Sequence, residues 1–169
     1  LWIANVSGEG PVARLTIHEA QDTLPKVSPD GKWIAFSSVR NGRYDIFTMP
    51  IAGGVPTQVT FHSGSEVICD WSPDGKHILF VSGRAGDTGR LDLYEASLNG
   101  GTPRRLTFDG AREGSYSPDG KSIVYSRGFI NQYWDNYDGS ANFDIYTVSR
   151  DGGIPKRVLK SEGNEHYPY

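Results

Sequence analysis

The residues best suited to chemistry in this chain fall into two groups. The first is a recurring set of histidines, acids and an arginine: His18, Glu19 and Asp22; His62 and Glu66; Arg112 and Glu113; Glu162, Glu165 and His166. Imidazoles and carboxylates gathered at one mouth would bind a peptide amine or ligate a metal ion. Solvated loop charge is the simpler reading, and Asp22, Glu66 and Glu165 share one repeat position, which suits a structural role. The second group is aromatic. Phe129, Tyr133, Trp134 and Tyr137 stand with Asp135 and Asp138 in a single stretch, residues 128–142. Clustered aromatics on a loop supply contact area for a partner; they can equally cap a neighbouring structural unit.

Catalytic signatures fail one by one. His18-Glu19-Ala20-Gln21-Asp22 lacks the second histidine of a zinc-protease helix, and Gly120-Lys121-Ser122 follows Ser115 where a phosphate loop needs its first glycine. Residues 135–139 do not have the spacing of a calcium loop. No Gly-x-Ser-x-Gly elbow occurs. Cys69, the single cysteine, falls in an expected inner strand and reads as packed. No catalytic residue, metal site or cofactor is therefore expected. A net charge of −3 without a basic run argues against nucleic acid, and no apolar stretch approaches the roughly 18 residues of a membrane span.

What must position these residues is visible in a motif that occurs three times. Ser-Pro-Asp-Gly-Lys stands at residues 28–32, 72–76 and 117–121, with the prolines 44 and 45 residues apart. Proline presets φ for a turn, Asp tolerates the next position, and Gly takes the left-handed one that closes a hairpin. Such a period marks one supersecondary unit repeated. Each unit reads as four strands, and the second strands (Ile-Ala-Phe, Ile-Leu-Phe-Val, Ile-Val-Tyr) are continuous apolar runs suited to burial on both faces.

Four-stranded units packed face to face around an axis are propeller blades, of which a closed ring has roughly four to eight. The expected class is all-β, a partial β-propeller with blades at 24–61, 67–108 and 114–159 and partial blades at 1–16 and 165–169. Such an open ring suggests a piece of a longer chain, or the ordered part of one. Its uncovered edges would favour self-association.

The pattern Ser-Pro-Asp-Gly-Lys-x-Ile-Ala-Phe-x-Ser, then Tyr-Asp-Ile-Phe, then Gly-Gly-x-Pro-x-x-Val-Thr resembles the TolB-like, WD-related propeller repeat over essentially the whole chain. Within that family it is most similar to the N-terminal propeller of tricorn-like peptidases, through Leu1-Trp2, residues 67–71 and Tyr133-Trp134-x-x-Tyr137-x-Gly139-Ser140. The resemblance implies a non-catalytic segment for protein or peptide recognition or substrate gating, with serine-peptidase residues in later domains. An alternative it leaves open is a TolB-like scaffold that binds a folded partner. A propeller lyase or hydrolase using channel histidines is a third. TolB-like resemblance implies the periplasm or exterior, slightly favoured here; tricorn resemblance implies the cytoplasm.

The repeat also sorts residues. Asp30, Asp74 and Asp119 recur in every unit and serve the turn, as Asp45, Asp92 and Asp144 serve the third strand. The loop at 128–142 breaks the pattern. Its counterparts, 39–43 and 83–90, have five and eight residues against its fifteen, and long loops of this kind tend to be functional or disordered.

Overall fold

The computed structural model describes residues 1–5, 7–86, 90–127 and 144–158. These form an all-β array: a two-stranded sheet, β1 (Trp2–Ile3) and β2 (Ala13–Arg14), followed by three four-stranded antiparallel sheets. The first blade contains β3 (Asp22–Val27), β4 (Trp33–Ser38), β5 (Asp45–Pro50) and β6 (Thr57–Gln58). The second contains β7 (Glu66–Trp71), β8 (His77–Ser82), β9 (Asp92–Ser97) and β10 (Arg104–Arg105). The third contains β11 (Glu113–Tyr116), β12 (Ser122–Arg127), β13 (Asp144–Ser149) and β14 (Lys156–Arg157). Strands neighbour one another in chain order within each blade, the meander expected of a propeller.

Each Ser-Pro-Asp-Gly-Lys segment is a closed hydrogen-bonded turn. In the first, Ser28 Oγ donates to Asp30 Oδ1 at 2.6 Å, and the Lys32 amide donates to the same oxygen at 3.1 Å. The Trp33 amide then donates to Ser28 Oγ at 2.9 Å. The same three bonds recur at Ser72, Asp74 and Lys76 and at Ser117, Asp119 and Lys121. Gly31, Gly75 and Gly120 have φ of 70°, 67° and 67°, the left-handed region where a Cβ is costly. Successive turns also touch: a Cβ on Gly120 would lie 3.5 Å from the Pro73 ring. The motif closes its own hairpin and abuts the next one.

Blades are held together by strands that are apolar on both faces. Ile78 and Phe80 of β8 join Ala35, Ile46, Ile68, Trp71, Tyr94 and Ala96 between the first and second blades. Leu79 and Val81 of the same strand face the other way, into a cluster with Leu93, Leu106, Tyr116, Ile123 and Tyr125 between the second and third. On the far side of the first blade, Phe36 and Met49 are covered by Leu1 and Leu15, from the stretch around the β1–β2 sheet. The inner strands β3, β7 and β11 pack against each other in sequence, so they line the axial side.

Two predictions come from the turns. Gly120→Ala forces a side chain into the left-handed region and should cost about 1 kcal/mol. That would lower the thermal midpoint by about 3 °C. The second concerns acid. Bonds from the Ser hydroxyls and Lys amides hold Asp30, Asp74 and Asp119 below the ordinary carboxylate range. Each therefore contributes fully above its unfolded-state value and loses that contribution as pH falls through the depressed one. Stability in urea should owe no pH dependence to these groups from about pH 8 to about pH 5, and fall below about pH 4. The triple variant Ser28→Ala/Ser72→Ala/Ser117→Ala should show a shallower acid loss.

Candidate functional site

The axial side of the blades combines irregular backbone with charge. Both β3 and β7 slip register against their neighbours, between Thr23 and Lys26 and between Ile68 and Asp70. Leu24, in the first slip, has φ of 52°, the single non-glycine residue with positive φ among those described. Bulges re-aim side chains. Here they border a groove of about 310 Å³ walled by Leu24, Val67, Ile68, Cys69 and Val81 and carrying Lys26, Arg112 and Glu113. Gly114 at its base packs so closely that an added Cβ would lie 3.0 Å from Leu93.

The groove holds apolar walls with charges of both signs, a surface suited to extended polypeptide. Cys69 does not supply a nucleophile, because burial pushes its thiol up to about 12 and only the thiolate attacks. Asp70 lies in the same strand. Burial raises its carboxyl, against the opposing pull of amide bonds from Tyr116 at 3.0 Å and Trp71 at 2.8 Å. Among the described residues no three His, Cys, Asp or Glu side chains are placed to hold a metal ion.

Of the mouth residues picked out by type, Arg112 and Glu113 are brought together in this groove. His18 and His62 are exposed, and each ring accepts a local amide bond, from Ala20 at 3.0 Å and Gly64 at 2.9 Å. Glu66 is fully buried and ion-paired with Arg84, whose guanidinium lies 5.2 Å from the Phe80 ring and 5.0 Å from the Tyr94 ring. Asp22 and Arg40 repeat the arrangement, at 2.9 Å, over Phe36 and Phe47. Glu66 thus belongs to a recurring acid–arginine–aromatic column that ties the start of the inner strand to the end of the second. Phe129, Tyr133, Trp134, Asp135, Tyr137, Asp138 and His166 lie outside the described residues.

Reading by residue type missed Lys26 and Leu24. The available signal was Lys26 itself, which stands where the second and third repeats have Asp70 and Ser115. It also missed a polar cluster between the second and third blades. Glu95 accepts from Tyr116 Oη at 2.6 Å, Arg150 Nε at 2.7 Å and Arg104 Nη2 at 3.0 Å. Burial alone would raise its carboxyl, but these three donors together hold it below its ordinary value. Arg150 also lies 2.8 Å from His77 Nδ1 and stacks 5.4 Å over the Tyr116 ring. The equivalent of Glu95 is Thr48 in the first blade and Thr147 in the third.

The model of the tricorn protease N-terminal β-propeller domain matches residues 1–169. Tricorn protease homolog 2 of Streptomyces coelicolor is 36% identical over 59 residues, which is 35% of this chain and 5% of that protein. TolB from Acinetobacter baumannii has a TM-score of 0.71 at 26% identity, over 90% of this chain and 35% of its own. The tricorn protease structure has a TM-score of 0.75 at 18% identity, a likeness of fold, over 96% of this chain and 17% of its own. The chain therefore spans a minor part of each of these relatives.

Removing one partner from the Glu95 cluster should be costly while replacing both is not. Glu95→Thr leaves Arg150 with the more distant Asp74 carboxylate, 3.9 Å away, and should cost about 2 kcal/mol in urea denaturation. The double variant Glu95→Thr/Arg150→Leu copies the first junction and should recover more than half of that loss.

Proposed function

The chain belongs to the tricorn protease N-terminal β-propeller family, and from that premise we propose that it is a non-catalytic propeller segment that recognises polypeptide and gates its passage to a peptidase. The observation that carries this reading is the axial groove. Its apolar walls accept side chains, and Lys26, Arg112 and Glu113 offer both signs of charge to termini and to polar residues. The aromatic and acidic residues Phe129, Tyr133, Trp134, Asp135, Tyr137 and Asp138 are proposed as a second contact, on account of their composition. His18, His62 and His166 remain candidates for contacts at the channel mouth.

A second reading is a scaffold for a folded partner, without a peptidase. The likeness to TolB at 26% identity supports it. The two readings differ in what is bound: an extended peptide enters a groove, whereas a folded partner needs a broad surface.

Binding of fluorescein-labelled unstructured peptides, followed by anisotropy, separates them. Lys26→Ala/Arg112→Ala/Glu113→Ala and Trp134→Ala/Tyr137→Ala should each weaken binding by about tenfold, about 1.4 kcal/mol, with unchanged thermal midpoints. Undiminished binding in both variants would remove the groove and the aromatic stretch from the account. Peptide binding absent in the wild type would favour the folded-partner reading.

A further inference from the structure

The cluster around Glu95 has a counterpart between the first and second blades where the side chains differ. The repeat places Asp30 at the position of Asp74, Trp33 at His77 and Thr48 at Glu95. It likewise places Trp71 at Tyr116 and Leu98 at Arg150. In the later junction the chain supplies its own cation. The Arg150 guanidinium lies over an aromatic ring, bonds to Glu95 at 2.7 Å, and reaches within 3.9 Å of the turn aspartate Asp74.

In the earlier junction the equivalent space is open. It forms a cavity of about 490 Å³ walled by Trp33, Phe61, Trp71 and Leu98, with Asp30 and Asp74 at its edge. That volume lies within the roughly 300–1,000 Å³ of small-molecule sites. Among the described residues no lysine, arginine or histidine lines it. The Trp71 indole N–H is already donated to the Lys26 carbonyl at 2.9 Å, so its ring, not its N–H, is what it offers the cavity. Trp33 and Phe61 keep 44% and 78% of their surface exposed, an uncommon amount of aromatic area to leave in water beside a cavity. Asp74 is shared with Arg150, which leaves Asp30 as the carboxylate available to a ligand. Bonds from Ser28 and the Lys32 amide keep it ionised at neutral pH.

We propose that the junction between the first and second blades is a binding pocket for an arginine side chain of a polypeptide, seated as Arg150 is seated in the next junction. The proposal rests on the reading that the chain recognises polypeptide, but it uses the end of the sheets that carries the Ser-Pro-Asp-Gly turns. A planar guanidinium stacks on indole faces while its edge donates to a carboxylate. Thr48 supplies a hydroxyl at the lining in place of the Glu95 carboxylate.

The test titrates N-acetyl-Arg-Leu-amide and its citrulline counterpart into the full chain, following the indole N–H signals of Trp33 and Trp71 by NMR. The arginine probe should shift both signals with a Kd of about 1 mM. The neutral citrulline probe should bind about tenfold more weakly, and Asp30→Asn should weaken the arginine probe about fivefold. Thr48→Glu/Leu98→Arg installs the later junction's own ion pair and should abolish binding while the protein stays folded by its thermal midpoint. If that variant does not fold, Asp30→Asn carries the test. Equal binding of the two probes, or undiminished binding to Asp30→Asn, would overturn the proposal. Shifts confined to the Val67 and Gly114 amides of the axial groove would overturn it and leave polypeptide recognition standing. Silence at both places up to about 20 mM, far above the Kd expected of a single seated side chain, would overturn both.

Discussion

A four-stranded sheet whose second strand is apolar on both faces has to be covered twice. Everything else in this chain depends on that. Ile78, Leu79, Phe80 and Val81 are consecutive and all buried, so Ile78 and Phe80 cannot share a cover with Leu79 and Val81. At about 2 kcal/mol for each fully buried aliphatic or aromatic side chain, this strand alone contributes on the order of 8 kcal/mol. An exposed ion pair contributes about 1 kcal/mol or less. Apolar stacking of blade on blade therefore decides the architecture, and the charged residues adjust to it.

Those charged residues do so in a patterned way. The acid–arginine–aromatic columns at Asp22–Arg40 and Glu66–Arg84 occupy one end of the blades and bury guanidinium groups over the rings of their own sheet. Their planar cations cover aromatic faces while the carboxylates balance the charge, which makes burial tolerable. At the other end, the blade junctions are not equivalent. Between the second and third blades the gap is closed by Glu95, Arg150 and Tyr116. Between the first and second, Thr48 and Leu98 stand at those positions and line an open cavity. A repeat fold makes such a difference informative, because the backbone is nearly the same and only the side chains changed.

The axial groove follows from a similar departure. The register slips at Thr23–Lys26 and Ile68–Asp70 take the inner strands out of regular pairing. They put Lys26 on the lining of the groove that also carries Arg112 and Glu113. The family is that of an N-terminal β-propeller domain, and the match to the Streptomyces coelicolor relative covers 5% of that protein.

From residues alone, the three Ser-Pro-Asp-Gly-Lys turns and the continuous apolar second strands determined the all-β class, the four-stranded unit and the family resemblance. These are local facts: a turn is written in five consecutive residues, and burial on both faces in four. The structural role of Asp30, Asp74 and Asp119 was legible for the same reason, because each bonds within its own turn. What the tertiary structure decided lies between blades. Whether Lys26 shares a groove with Glu113, and whether Arg150 fills a gap that Leu98 leaves open, depend on residues about 50 to 90 positions apart. Blade-on-blade packing sets those distances, and no spacing within a single repeat encodes them.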